Sequence, residues 1–137
     1  MREEGMIHLY YRERCTSSTK VIQWFKKYRL DFQRKPMGQI SREDIITVLA
    51  STDKGISDLV KHPSHGSEED GSKIRLMESM SLNEAIDYLK VNPNLLRSPI
   101  IIEKEKVLIG YNPEQIRIFL PQAYRRKSLV ENTRYPA

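Results

Sequence analysis

The stretch PIIIEKEKVLIGYNPEQIRIFLP, residues 99–121, carries the signal that decides the fold. Its first part holds two apolar runs, PIIIE at 99–103 and KVLIG at 106–110, joined by the short link Lys104-Glu105. A link of this length connects antiparallel strands, because a parallel crossover needs about a dozen residues or more. Residues 99–110 are therefore predicted to form a β-hairpin.

The second part of the stretch predicts a helix. Asn112, Pro113 and Gln115 supply an N-cap, a proline at the first helical position and a capping-box partner. The apolar stripe of this helix is expected to be Ile116, Phe119 and Leu120. The chain should therefore end its folded part with a hairpin followed by a helix.

The N-terminal part of the chain predicts a strand, a helix and a second strand. MIHLYY at 6–11 is a run of β-forming residues. Residues 16–28 change to a helical period, with an apolar face of Val21, Trp24, Phe25 and Tyr28. Residues 30–34 predict a second strand, which should lie parallel to the first because a helix connects them.

The middle of the chain, about residues 41–91, predicts a helical insertion. Ser41 and Asp44 mark a helix start, with a predicted buried face of Ile45, Ile46, Val48 and Leu49. Gly55 ends that helix, and a shorter one follows through Ile56, Leu59 and Val60.

Two more segments complete the insertion. Residues 62–72, HPSHGSEEDGS, are polar and rich in glycine and serine, which predicts a loop. Ser81 and Glu84 form a capping box for a last helix, and Asn92 and Pro93 end it. Its predicted inward side chains are Ala85, Ile86 and Leu89.

This order of elements predicts an α/β fold of the thioredoxin-like type. A single domain over 1–137 should contain a mixed sheet of about four strands, an enlarged helical insertion at about 41–91 and a basic tail at about 122–137. The core is expected to contain Leu9, Val21, Phe25, Ile100, Ile102, Leu108 and Phe119.

Composition narrows the function classes. The chain has 137 residues, a net charge of +5 and 39% hydrophobic residues. Its apolar runs are far shorter than the roughly 18 residues of a membrane span, and its start lacks the pattern of a signal peptide, so we expect a soluble cytoplasmic protein. Both ends are basic and the middle is acidic. Basic ends could face nucleic acid or an acidic protein, but the simpler expectation is a solvated surface. No run of Lys and Arg is interleaved with stacking aromatics, so direct nucleic-acid reading is not indicated.

Cys15, the single cysteine, is the first candidate site residue. It lies between the first strand and the first helix, where unpaired backbone N–H groups and the helix dipole favour a thiolate. An ordinary buried cysteine is the alternative. Because no second cysteine is present, oxidation cannot produce an internal disulfide.

Three features together resemble the Spx/ArsC family: the thiol after the first strand, NPNLLRSPIIIE at 92–103 and IGYNPEQIRIFLP at 109–121. The similarity is greatest to its Spx branch. That resemblance implies a global transcription regulator that binds the C-terminal domain of the RNA polymerase α subunit in a stress response. It also implies no cofactor, only indirect DNA contact, and proteolytic control by a Clp protease with an adaptor.

The resemblance assigns roles to several residues. Gly55 and Arg97 are implied to contact the partner, and Pro99 is implied to be a cis-proline beside the thiol. Ser18 stands where Spx proteins carry the second cysteine of their redox pair, so that switch is absent.

The anion-binding arginines of the arsenate reductases have no direct match. Ser98 occupies one of their positions, and Lys61 to Ser64 cover the region of another. Arg97 would point away from the thiol if its segment were an extended strand.

Two functions therefore remain open. The first is a non-enzymatic regulator of the Spx kind, and the second is a thiol-dependent oxidoreductase that resembles arsenate reductases or monothiol glutaredoxins. His62 and His65 have a spacing that metal sites use, but no further ligands lie nearby in sequence, so we predict a solvated loop and no metal.

Overall fold

The computed structural model describes residues 6–121, and the predicted basic tail at about 122–137 lies outside this range. The elements in chain order are β1 (Ile7–Tyr11), α1 (Thr16–Lys27), β2 (Phe32–Pro36), a 3₁₀ helix (Met37–Gln39), α2 (Arg42–Ala50), α3 (Ile56–Leu59), α4 (Glu68–Met77), α5 (Leu82–Val91), a second 3₁₀ helix (Pro93–Leu95), β3 (Ile100–Glu103), β4 (Lys106–Ile109) and a third 3₁₀ helix (Gln115–Phe119).

The four strands form one mixed sheet in the order β2-β1-β3-β4. β1 runs parallel to β2, with Ile7 opposite Phe32, and antiparallel to β3, with His8 opposite Ile102. β3 and β4 form the predicted antiparallel hairpin across Lys104-Glu105. These pairings confirm the predicted α/β fold and its strand directions.

The sheet separates two hydrophobic layers. α1 and the third 3₁₀ helix pack on one face through Val21, Phe25, Ile116 and Phe119. The helices of the insertion pack on the other face, where Tyr10, Ile100 and Ile102 point. Successive strand residues alternate between the two layers, as a pleated strand requires. All seven predicted core residues are buried: Leu9, Val21, Phe25, Ile100, Ile102, Leu108 and Phe119.

The second strand begins two residues later than predicted. Arg29 has φ +54, and the N–H of Leu30 bonds the carbonyl of Phe25, so this part of the chain completes the end of α1. Only after this cap does the chain become extended at Phe32 and reach the edge of the sheet.

The predicted buried face of α2 is partly wrong. Ser41 caps the helix as expected, by accepting a hydrogen bond from the N–H of Asp44. Ile46, however, is exposed, while the Asp44 side chain is buried and accepts a 2.5 Å hydrogen bond from the Tyr10 hydroxyl. The polar partner on β1 compensates the burial of this carboxylate, which periodicity alone does not reveal.

The prediction of a loop throughout 62–72 is also wrong, because α4 begins at Glu68 inside it. Ser67 caps this helix through the N–H of Asp70, a start signal hidden in a polar segment. Gly71 is buried at the contact with the preceding loop, and a Cβ built there would lie 2.6 Å from the Pro63 carbonyl oxygen. Glycine therefore permits a close approach of two backbones.

Gly71→Ala is expected to lower the free energy of unfolding by about 1–2 kcal/mol, although alanine normally favours a helix interior. The reason is that α4 or the Pro63 backbone must shift to admit the methyl group. Urea denaturation should be compared with Ser72→Ala, a substitution at the exposed neighbour in the same helix. A Gly71→Ala variant at least as stable as the parent would contradict the close-packing explanation.

The predicted cap is confirmed for α5, but the last helix begins later than predicted, at Gln115. Ser81 and Glu84 form the full capping box of α5. Asn112 accepts hydrogen bonds from the N–H groups of Glu114 and Gln115, but the helix that follows is a short 3₁₀ helix. Within residues 6–121, no helix combines the length and apolar content needed to cross a bilayer.

Candidate functional site

Cys15 is the N-cap residue of α1. Its backbone is extended, and its sulfur accepts a hydrogen bond from the N–H of Ser18 at 3.4 Å. Arg14, just before it, has φ +56 and turns the chain from β1 into the helix. The thiol is thus held at the positive end of α1, as the sequence predicts.

Two serines surround the thiol. Ser18 is buried, and its hydroxyl lies 3.0 Å from the hydroxyl of Ser98. The Cys15 sulfur lies 3.9 Å from the carbonyl oxygen of Ser98, to which the thiol can donate. The Ser98–Pro99 peptide bond is cis. The position implied for a second cysteine is therefore filled by a hydroxyl that links α1 to the segment before β3.

The environment lowers the pKa of Cys15. Burial acts to raise this pKa, but hydrogen bonds from the Ser18 side chain and backbone, the Ser98 side chain and the Ser17 backbone outweigh it. These bonds favour the thiolate because an ionised sulfur is the stronger acceptor. The site therefore favours a nucleophilic thiolate.

Ser18→Ala is expected to raise the pKa of Cys15, because it removes one of the side-chain hydrogen bonds to the sulfur. The rate of iodoacetamide alkylation follows the thiolate fraction, so its inflection should lie below that of an unperturbed cysteine in the parent and move upward in the variant. Ser17→Ala is the matched control, since Ser17 contributes only through its backbone. An identical pH profile for parent and Ser18→Ala would contradict this assignment.

Cys15 opens into a cleft of about 680 Å³ that three cationic residues line: Arg12, Lys61 and Arg97. Arg12 spans the cleft wall and donates to the carbonyls of Leu96 at 2.8 Å and Pro93 at 3.2 Å. Burial lowers the pKa of Arg12, whereas the nearby Cys15 and Asp70 act to raise it. The guanidinium remains charged, so the thiol faces a cationic wall.

Lys61 adjoins this wall from the insertion. Burial and the charge of Arg12 lower the pKa of Lys61, and Asp70 partly offsets both effects. The Asp70 carboxylate lies 3.8 Å from the Lys61 amine and accepts a hydrogen bond from Asn94. The first turn of α4 thus brings a counter-charge to the cleft, which sequence reasoning missed because it predicted a loop there.

Arg97 lies at the cleft, contrary to the expectation that it would point away from the thiol. β3 begins only at Ile100, so strand alternation does not apply to residue 97. Its backbone N–H bonds the Leu59 carbonyl and its side-chain Nε donates to the Val60 carbonyl at 2.9 Å. Arg97 is therefore tied to the segment that follows α3.

Gly55 does not line the Cys15 cleft. It has φ +71 and precedes α3, and an added Cβ would meet no atom within 4 Å. A smaller cavity of about 250 Å³ begins beside it at Ile56 and Ser57, and it shares Lys61 and Arg97 with the cleft. The structure thus separates Gly55 from the thiol but connects the two regions through this shared wall.

The two histidines face the cleft as neighbours. His62 and His65 both line it, and their ring centroids lie 5.3 Å apart. Nδ1 of His62 lies 2.6 Å from the Ser64 hydroxyl. No group of three or more metal-ligating side chains occurs among residues 6–121.

Comparison with known proteins decides the family. The model of the ArsC family matches residues 10–119, which include the thiol, the insertion and the hairpin. The chain belongs to the ArsC family. Curated relatives of this ArsC-family chain include the global transcriptional regulator Spx of Streptococcus pyogenes serotype M3, 32% identical over 93% of this chain and 95% of the relative. Spx of Streptococcus mutans serotype c is 30% identical over 93% of both chains.

Solved structures support the fold of this ArsC-family chain. SACOL0876 from Staphylococcus aureus has a TM-score of 0.68 and 20% identity, with coverage of 82% of this chain and 97% of that one. An arsenate reductase from Vibrio cholerae has a TM-score of 0.67 and 15% identity, with coverage of 86% of this chain and 100% of that one. At these identities, the likeness establishes the shared α/β fold.

Proposed function

We propose that this chain is a transcription regulator of the Spx kind that binds the C-terminal domain of the RNA polymerase α subunit during a stress response. The observation that supports this proposal is the 32% identity to relatives named Spx, which extends over 93% of this chain and 95% of theirs. Similarity over the full length favours a shared mode of action more than a shared fold alone does.

The proposed partner surface contains Gly55 and Arg97. Gly55 is an open position at which a partner backbone can approach closely, because no side chain intervenes. Arg97 is tied to the other end of α3 through its hydrogen bond to the Val60 carbonyl. Arg97 is exposed and lines the small cavity that begins beside Gly55. Arginine is one of the residue types that often dominate binding energy at interfaces.

The regulator is proposed to act without an internal disulfide switch. Ser18 fills the position of the second cysteine and bonds Ser98. Binding should therefore depend little on the state of Cys15, and Cys15→Ser should retain most of the affinity. A role in the cytoplasm, and removal by a Clp protease with an adaptor, belong to the same proposal.

Calorimetric titration with the isolated C-terminal domain of the α subunit tests the proposal. We expect saturable binding in the micromolar range, about −8 kcal/mol, by the purified chain. The N-terminal domain of the same subunit is the matched control and should not bind. A folded chain that shows no heat of binding at high concentration would reject the regulator function.

A thiol-dependent oxidoreductase is the second candidate. The lowered pKa of Cys15 beside the cationic residues Arg12, Lys61 and Arg97 favours it, since this combination suits an anionic substrate. Purified protein with arsenate and either glutathione or thioredoxin should show no turnover if the first proposal holds. Arsenate reduction that disappears in Cys15→Ser would favour the enzyme instead.

A further inference from the structure

The segment that contains α1 and β2 is basic, and the insertion is acidic. Residues 12–35, which include α1 and β2, hold eight Lys and Arg against two Asp and Glu. The insertion at 41–91, which packs on the other side, holds six basic residues against ten acidic ones. The charge is therefore divided between these two segments of the chain. We define the basic face by Lys20, Lys26, Lys27, Arg29 and Arg34.

The register places Arg34 on the same side of the sheet as α1. Arg34 pairs with Leu9, and paired neighbours point to the same side of a sheet. Leu9 packs in the layer of α1, with Val21 and Phe25. The edge strand and the helix thus both present cations on this side of the sheet.

Within the part of the chain that the structure describes, no carboxylate forms an ion pair with a member of the basic face. Among residues 6–121, the ion pairs lie in the insertion and the hairpin. By contrast, Arg42 of α2 pairs with Asp87, and Lys73 of α4 pairs with Glu69. The positive potential of the basic face is therefore available to a partner.

Three of these cations make cation–π contacts with tyrosine rings. The amine of Lys27 lies 5.5 Å from the Tyr28 ring centroid, and the amine of Lys20 lies 6.0 Å from that of Tyr111. The guanidinium of Arg34 lies 5.8 Å from the ring centroid of Tyr11. A ring orients a cation without cancelling its charge, so less side-chain entropy is lost when an anion binds.

We propose that the basic face is a binding surface for the sugar-phosphate backbone of DNA. Lys20 and Lys27 lie about 10 Å apart along α1, while duplex DNA carries one charge per about 1.7 Å of its axis, so both can reach phosphates. Protection of the sheet edge would explain a cation on β2 alone, but not the lysines of the helix. A phosphate backbone matches both elements at once.

The proposed DNA-binding surface is separate from the proposed contact with the α subunit. Gly55 belongs to the insertion, whose residues Ile56 and Leu59 pack in the opposite layer of the sheet. DNA on the basic face and a protein at Gly55 would therefore approach from different sides. Contacts to phosphates position a protein but do not read sequence, so the binding should be independent of sequence.

Fluorescence anisotropy with a labelled duplex of arbitrary sequence tests the proposal. At physiological salt, the parent chain should bind with a Kd in the range of about 10⁻⁶ to 10⁻⁴ M, and the affinity should rise steeply as salt is lowered. The double variant Lys27→Gln and Arg34→Gln should lower the affinity at least about tenfold and reduce the slope of log K against log salt by about 2.

A matched control separates a specific surface from net charge. Lys54→Gln with Arg75→Gln also removes two positive charges, at exposed positions of the insertion. This control should bind DNA nearly as well as the parent. Equal loss in the two double variants, or no binding by the parent at low salt, would overturn the proposal.

The DNA-binding result can be distinguished from the result for binding of the α-subunit domain. The basic-face variant should keep its affinity for the α-subunit domain in calorimetry. If the α domain does not bind at all but DNA binding still depends on Lys27 and Arg34, the DNA surface stands and the regulator function fails. An anionic vesicle or an acidic protein that binds the basic face in place of DNA would also overturn it.

Discussion

Phe25→Ala is expected to lower the free energy of unfolding by about 3–5 kcal/mol, the range for deletion of a large buried aromatic side chain. Phe25 is fully buried on α1. Its ring centroid lies 5.1 Å from that of Phe32 on β2 and 6.1 Å from that of Phe119 in the third 3₁₀ helix. The substitution therefore removes the contact that joins three elements and leaves a cavity between them.

Urea denaturation monitored by circular dichroism measures this loss. Phe25→Leu fills part of the space and should cost less, about 1–2 kcal/mol, so it remains measurable if the alanine variant is unfolded. Leu76→Ala, at a side chain with 52% exposure on α4, should change the stability by no more than about 0.5 kcal/mol. A Phe25→Ala variant that loses less than the Leu76→Ala control would refute the packing described for this layer.

Gly55→Arg is expected to weaken binding of the α-subunit domain by about 2 kcal/mol or more, which is well over tenfold in Kd. The structure has no atom within 4 Å of an added Cβ, so the arginine would project into open space and not into the chain itself. Its bulk would therefore obstruct a partner. The positive φ of +71 adds backbone strain of about 1–3 kcal/mol to any non-glycine residue.

Gly55→Ala separates strain from obstruction, because it carries the same backbone cost without the bulk. Both variants should lose stability in thermal melts by similar amounts, whereas only the arginine should lose most of its affinity. Equal affinity of folded Gly55→Arg and the parent would place the partner on another face, even if the partner itself is correct. Equal loss in the alanine and arginine variants would assign the effect to strain in the Gly55 turn.

Local signals in the sequence were sufficient for much of the fold. Capping residues such as Ser41 and Ser81 predicted helix starts, because a side-chain bond to a free N–H acts over three residues. The two-residue link at Lys104-Glu105 predicted the hairpin because so short a connection can join only antiparallel strands. Features of this kind are encoded within one turn of chain and need no tertiary information.

The errors share a different origin, which is contact between distant segments. The Asp44 carboxylate can be buried because the Tyr10 hydroxyl donates a hydrogen bond to it. Position 71 requires glycine because the Pro63 carbonyl lies too close for a side chain. Arg97 reaches the cleft because its neighbours pair with the segment after α3. At the candidate site, the position of Cys15 was predictable from its place before a helix, but the contribution of Asp70 was not, since α4 itself was missed.

The position of β1 between β2 and β3 has a consequence for how the chain connects them. The whole insertion joins two strands that flank the same neighbour, so its ends lie only about two strand spacings apart, roughly 10 Å. The entropy of closing such a connection grows with the logarithm of its length, and doubling the length costs only about 0.6 kcal/mol. The sheet therefore leaves the size of this connection almost unconstrained, and helices can be added or lost between β2 and β3 while the thiol and the hairpin keep their places.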